Sequence, residues 1–202
     1  MNFPCKIAIL IFDDVEVLDF CGPFEVFSIT KDNQEQKAFK VMIAAENEAP
    51  VLTRNQLSIN PHYTITNCPA PDILLIPGGP GTRREMGNDN LLNWIKSCSK
   101  QSKLTLSVCT GSLLLGKANL LDGLEITTHH GALDLLKEVV PNAVIRKDKR
   151  IIDNGKFIVS GGISAGIDMS LYVVAKLLGK DVAMKTAEYM EYRWLIDDLG
   201  VC

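Results

Sequence analysis

Of six cysteines, one stands where sulfur could do covalent chemistry. Leu104–Val108 (LTLSV) reads as a buried strand. Cys109 follows it directly, and Thr110-Gly111-Ser112 opens an apolar helix through Leu113, Leu114, Leu115 and Ala118. A strand, a sharp turn and a helix project the turn residue beyond the sheet edge, the geometry of a nucleophile elbow with sulfur in place of a serine hydroxyl. The free amides at the helix start face that side chain and favour thiolate. Their contribution, at most about 2 kcal/mol, brings a thiol only from roughly 8.5 to about 7–8, so neighbours must supply the rest. The competing reading is a small, inert cysteine at a strand end.

The residues able to assist are few. Gly78 and Gly79, in the loop Pro77–Gly81, could turn backbone amides toward a reacting centre with no side chain in the way, and with the Thr110 amide they would hold developing negative charge. The competing reading is a loop that merely turns the chain. Asp19, between Leu18 and Phe20, and Glu25 are the candidate carboxylates. Buried, Asp19 would have a raised pKa; protonated, it could donate to sulfur and later deliver a proton, whereas ionised it would oppose thiolate. Glu25 falls at N3 of a short helix starting at Pro23, where it could simply bond local amides. His129 and His130 end a further strand-like segment, so a cysteine–histidine pair is an alternative, weighed against a histidine bonded to backbone. Cys21 lies near Asp19 and could line the site. His62 has no evident partner.

The apolar pattern supplies elements that would gather these positions. Short runs (Lys6–Phe12, Phe39–Ala45, Asp72–Ile76, Leu104–Val108, with strand-like 126–129) alternate with helical segments (Pro23–Ile29, Asn88–Gln101, Thr110–Asn119, Ala132–Val140, Ser164–Leu178, Asp181–Leu195). Residues 51–63 read as a hairpin, and Asn154-Gly155 marks another. Strands that are apolar throughout, separated by helices, specify an α/β domain, a doubly wound, mostly parallel sheet with helices on both faces. In such sheets the site lies beyond the carboxyl ends of the strands, where the candidates above cluster.

Composition narrows the function. The 202 residues should bury about 70% of the unfolded surface, enough for one domain spanning 1–202 without disulfides or structural metal. A net charge of −3 with no basic run argues against nucleic-acid binding, no stretch reaches membrane-spanning length, and the N-terminus lacks a signal-peptide pattern. A cytoplasmic location with reduced thiols is expected. No C-x-x-C, H-E-x-x-H, Walker or G-x-G-x-x-G pattern occurs, so neither metal nor cofactor is expected; Cys98 reads as core and Cys202 as an exposed terminal thiol.

Taken together, Val17–Phe27 (VLDFCGPFEVF), Ile76-Pro77-Gly78-Gly79, Ser107-Val108-Cys109-Thr110-Gly111-Ser112, Thr127-Thr128-His129 and Ser164–Asp168 (SAGID) resemble the ThiJ/PfpI superfamily, flavodoxin-like relatives of class I glutamine amidotransferases. Within it the likeness runs to isocyanide hydratases and to the amidotransferase-like domains of AraC-type regulators. The resemblance implies a flavodoxin-like fold and a homodimer. It implies Cys109 as nucleophile, Asp19 as the carboxylic acid on the sulfur, Thr110 as its neighbouring hydroxyl, Gly79 in an oxyanion-type loop and His129 as a histidine near the cysteine. The implied reaction hydrates an isocyanide to an N-substituted formamide. Alternatives within the superfamily are an amidase, peptidase or glyoxalase/deglycase, or a ligand- or redox-sensing domain. His130 stands where hydratases tend to have Trp, and the sequence ends soon after Trp194 where they continue. With the sequence ending at Cys202, no helix-turn-helix is expected.

Overall fold

Runs that are apolar on both faces persist as strands only when layers cover them on both sides. The computed structural model, which describes residues 4–195, places them so. The chain runs β1 (Cys5–Leu10), α1 (Val17–Ile29), β2 (Phe39–Ala45), β3 (Val51–Leu52), β4 (Ser58–Ile59), β5 (Tyr63–Thr64), β6 (Ile73–Ile76), α2 (Thr82–Glu85), α3 (Asp89–Gln101), β7 (Leu104–Val108) and α4 (Gly111–Lys117). It continues through β8 (Glu125–Ile126), a 3-10 turn at His130–Ala132, α5 (Leu133–Val139), β9 (Val144–Ile145), β10 (Ile151–Asp153), β11 (Phe157–Ser160), α6 (Ala165–Leu178) and α7 (Lys180–Tyr189).

The main sheet has the order β10-β11-β7-β6-β1-β2-β5 and is parallel except for the β10–β11 hairpin. All of β6 and β7 is buried, with Ile73, Leu74, Leu75, Ile76 and Leu106 fully enclosed. Each such side chain contributes roughly 1.5–3 kcal/mol. One helical layer is α1, α6 and α7; α2, α3, α4 and α5 form another. The order reverses between β1 and β6, and ligand crevices form at such switch points. Asp19 follows β1, Gly78 and Gly79 follow β6, and Cys109 follows β7. The topology therefore brings three distant segments to one crevice.

Several boundaries differ from the sequence reading. The first helix begins at Val17, not Pro23, so Gly22 and Pro23 lie inside it. Tertiary packing overrides their helix-breaking tendency. A Cβ on Gly22 would lie 2.8 Å from Ile167 of α6, and one on Gly166 would lie 3.5 Å from Pro23, so the helices cross where both backbones are bare. Asp19 consequently sits in the first turn of α1 rather than in a loop, and Glu25 is mid-helix and exposed rather than at N3. The 51–63 segment divides: β3 and β4 form the hairpin, whereas β5 joins the main sheet parallel to β2. The strand-like 126–129 segment shrinks to β8, which pairs with β9 outside the main sheet. The last helix stops at Tyr189, short of Leu195. Asn88 caps α3 by accepting the Leu91 N–H, so that helix starts where expected. Among the described residues no helix is long and apolar enough to cross a membrane.

Candidate active site

Cys109 has φ +57°, a left-handed conformation that non-glycine side chains rarely adopt. The elbow is held from all sides: Cys109 N–H donates to Gly161 O (3.0 Å), and its carbonyl accepts from Thr128 Oγ1 (2.8 Å) and Ser112 Oγ (3.2 Å). Such over-determination is what keeps a strained residue in place. A Cβ on Gly111 would lie 2.1 Å from Ile76 O, so the helix after the elbow starts hard against the end of β6.

Asp19 is fully buried. Gly78 N–H donates to its Oδ2 (3.0 Å), Ile163 N–H to its Oδ1 (3.1 Å), and the carboxyl shares a hydrogen bond with the Cys109 thiol. Burial pushes the Asp19 carboxyl up to about 7, although the Gly78 amide, the thiol and the Ile163 amide pull the other way. Burial likewise pushes the Cys109 thiol up to about 12, reinforced by the Asp19 charge. The Thr110 amide at the helix start favours thiolate, as the sequence reading held, but burial and the carboxylate outweigh it. The site is therefore one carboxyl and one thiol holding a proton between them, not a freestanding thiolate.

The glycine amides are not free oxyanion donors. Gly78 N–H is spent on Asp19, and Gly79 N–H donates to Thr110 Oγ1 (2.9 Å). These amides instead position the acid and the hydroxyl beside the sulfur. Gly79 has φ +130°, and a Cβ on Gly78 would lie 2.5 Å from Thr110 N, 2.6 Å from Thr110 Oγ1 and 2.9 Å from Asp19 Oδ2. Gly78→Ala is thus expected to lose about 1–3 kcal/mol, a fall in melting temperature of roughly 2–12 °C. Gly87→Ala, whose Cβ would find only Arg84 O at 3.6 Å, should stay within about 0.5 kcal/mol of wild type in the same thermal melt. Equal melting temperatures for the two variants would contradict this reading of the loop.

His129 borders the site but faces its own turn: its Nδ1 accepts the Gly131 N–H (3.1 Å). The neutral ring then carries its proton on Nε2. Burial holds its pKa below the usual histidine value, with the charges of His130, Arg83 and Arg54 adding to the effect. Gly162 separates it from the nucleophile; a Cβ there would lie 2.4 Å from His129 Cδ2 and 3.4 Å from Cys109 Sγ. A cavity of about 360 Å³ opens over Cys109 and Thr110, walled by Gly79, His129 and Ile163 and rimmed by Glu16, Arg54 and Arg83. Glu25 and Cys21 do not line it; Cys21 is a half-buried thiol on α1. His62 lies away from it, its Nδ1 accepting the Ile43 N–H. Cys98 is half-buried on α3, and Cys202 falls outside the described residues. Among the described residues, no group of three histidine, cysteine or carboxylate side chains is placed to hold a metal.

Sequence reasoning missed Ile163, which acts through its backbone amide at φ +55° and so leaves no side-chain signature. It also missed the arginines. Arg83 follows the end of β6 and was within reach of the strand-end rule, whereas Arg54 arrives from the hairpin loop without a local signal.

A parallel sheet of flavodoxin order with a strained cysteine elbow beside a buried acid defines an α/β protein of the cysteine-elbow class. The chain belongs to the DJ-1/PfpI family, whose pattern matches residues 5–176. It is 36% identical over 187 residues to isonitrile hydratase of Pseudomonas putida, a match covering 93% of this chain and 78% of that protein. It is 24% identical to the HTH-type transcriptional regulator GbdR of Pseudomonas aeruginosa across 94% of this chain, which spans about half (51%) of that relative. Among solved structures, a ThiJ/PfpI family protein from Pseudomonas syringae superposes with TM-score 0.83 at 30% identity, covering 93% of this chain and 75% of that one. Drosophila melanogaster DJ-1beta shares the fold with TM-score 0.79 at 19% identity, covering 94% and 99%.

Proposed function

We propose that the protein hydrates isocyanides to N-substituted formamides without a cofactor, using Cys109 as nucleophile and Asp19 as proton carrier. The observation that carries this reading is the buried Asp19 carboxyl hydrogen-bonded to the Cys109 thiol, in a chain similar over most of its length to an isonitrile hydratase. The terminal carbon of R–N≡C accepts the sulfur lone pair while Asp19 takes the thiol proton. Asp19 then returns that proton to the same carbon, giving the thioimidate R–N=CH–S–Cys109. Water adds to the thioimidate carbon, Asp19 taking a water proton and passing it to nitrogen. Cleavage of the C–S bond, with the hydroxyl proton passing through Asp19 to the departing sulfur, releases R–NH–CHO and restores the thiol, so the sum is R–NC plus water. Both carboxyl oxygens are fixed by backbone amides, which spares the proton carrier any reorientation between steps. His129 has no step in this scheme, consistent with its Nδ1 being bonded to Gly131.

Incubation with a panel of alkyl and aryl isocyanides should yield formamides, followed by chromatography and mass spectrometry. Quenching at early times should leave Cys109 heavier by the mass of the isocyanide. A panel that gives neither product nor adduct would end the hydratase reading.

A further inference from the structure

The rim of the cavity carries a positive charge that the protein itself leaves unbalanced. Three arginines lie near the crevice. Arg54 is paired with Glu16 (2.9 Å), and Arg84 with Asp14 (3.2 Å) and Glu85 (2.9 Å). Arg83 is different: its Nη1 donates to Thr82 Oγ1 (3.1 Å) and Gly79 O (3.4 Å), both neutral acceptors, and among the described residues it makes no ion pair. Those two bonds fix the guanidinium to the turn whose Gly79 N–H holds Thr110, so the charge is anchored at a set place relative to the nucleophile. Glu16, the carboxylate that lines the cavity, is already taken by Arg54; no other lining residue is acidic, and Asp19 lies fully buried beside the thiol.

Resting on the hydratase reading, we infer that the preferred substrates are isocyanides bearing a carboxylate, which Arg83 receives at the rim while the isocyanide end reaches Cys109. The placement follows from both ends of such a molecule. An isocyanide group is linear, small and uncharged, and suits the part of the cavity lined by Cys109, Thr110 and Gly79. A carboxylate suits the rim, away from the Asp19 carboxyl. An arginine fork binds a carboxylate bidentately, and part of the cost of immobilising the Arg83 side chain is already met by its bonds to Thr82 and Gly79.

The test compares kcat/KM for a carboxylate-bearing isocyanide and its methyl ester in wild type, Arg83→Gln and Arg83→Lys. Wild type should favour the acid by about tenfold or more at low salt, the preference falling as salt screens the charge. Arg83→Gln should bring the ratio close to 1, with Arg83→Lys between, because an ammonium keeps the charge but loses the fork. Equal kcat/KM for acid and ester in wild type would overturn the inference and leave the hydratase reading intact. Failure to hydrate either compound while other isocyanides of the panel are hydrated would also overturn the inference; if nothing in the panel is hydrated, the hydratase reading falls instead. Alkylation of Cys109 by iodoacetate against iodoacetamide, read on the Cys109 peptide by mass spectrometry, then decides whether Arg83 draws anions to the thiol. The acetate-to-acetamide rate ratio should drop severalfold in Arg83→Gln, and an unchanged ratio would overturn anion recognition whatever the reaction.

Discussion

Cys109→Ala is expected to leave a folded protein whose isocyanide hydration is on the order of 10⁴-fold or more below wild type, the scale on which loss of a covalent nucleophile acts. The expectation is that large because the other groups of the site have no independent route to product. In the proposed scheme Asp19 carries a proton, Thr110 and the glycine amides fix geometry, and none of them forms a bond to carbon. Folding should survive because alanine keeps the Cβ and adopts the same φ of +57° at the same cost as cysteine. Its carbonyl and N–H remain bonded to Thr128, Ser112 and Gly161. Removing one buried sulfur costs about 1 kcal/mol, a shift of a few degrees in melting temperature. Cys109→Ser is the sharper control. Its hydroxyl can still bond Asp19, so a rate as low as that of the alanine variant separates sulfur nucleophilicity from the mere presence of a polar group. Retention of more than about a tenth of wild-type turnover in the alanine variant would remove Cys109 from the mechanism.

The sequence made the sheet legible because its strands are apolar on both faces; Phe39–Ala45 and Leu104–Val108 fall where the pattern puts them. It also made Cys109 legible, since a strand, one cysteine and a Gly-Ser helix start form a local signal. What it hid is tertiary in origin. Gly22 and Pro23 read as a helix start, yet α1 runs through them because their bare backbone and ring fit against α6. That extension is what turns Asp19 from a loop residue into a first-turn side chain aimed under the elbow, and it is also why Glu25 ends up exposed. The destinations of the Gly78 and Gly79 amides were equally hidden. A glycine-rich loop announces backbone donors but not their acceptors, and here both are used to build the site rather than to meet substrate. The thiol's raised pKa follows the same lesson: a helix start is visible in sequence, whereas burial and a carboxylate brought from 90 residues away along the chain are not.

Asp19→Asn should cut kcat/KM by roughly 10²–10⁴-fold, the range of a positioned proton carrier, and should also change the shape of its pH profile. Below about 7 the wild-type pair holds two protons, carboxyl and thiol both neutral, and no base is available for the S–H proton. Between about 7 and about 12 the pair holds one, the state the mechanism needs. Wild-type kcat/KM should therefore climb through about 7 to a plateau, and the asparagine variant should lose that limb. Stability gives an independent reading. The folded-state pKa of Asp19 lies above its unfolded value of 3.8, so the native state binds more protons than the unfolded state in between. Its contribution is fully present below pH 4 and is lost as pH rises through about 7, a total of a few kcal/mol. Asparagine abolishes this slope. It also supplies one acceptor oxygen where Gly78 N–H and Ile163 N–H each have one now, so its amide nitrogen must face a donor. That mismatch costs about 1–3 kcal/mol at every pH. Denaturant unfolding between pH 4 and 9 should give a falling curve for wild type and a flat one for Asp19→Asn, which starts lower at pH 4 and is met or crossed by the wild-type curve as pH passes about 7. Parallel curves would mean that the buried carboxyl does not titrate near neutrality, and the proton-carrier role would go with it.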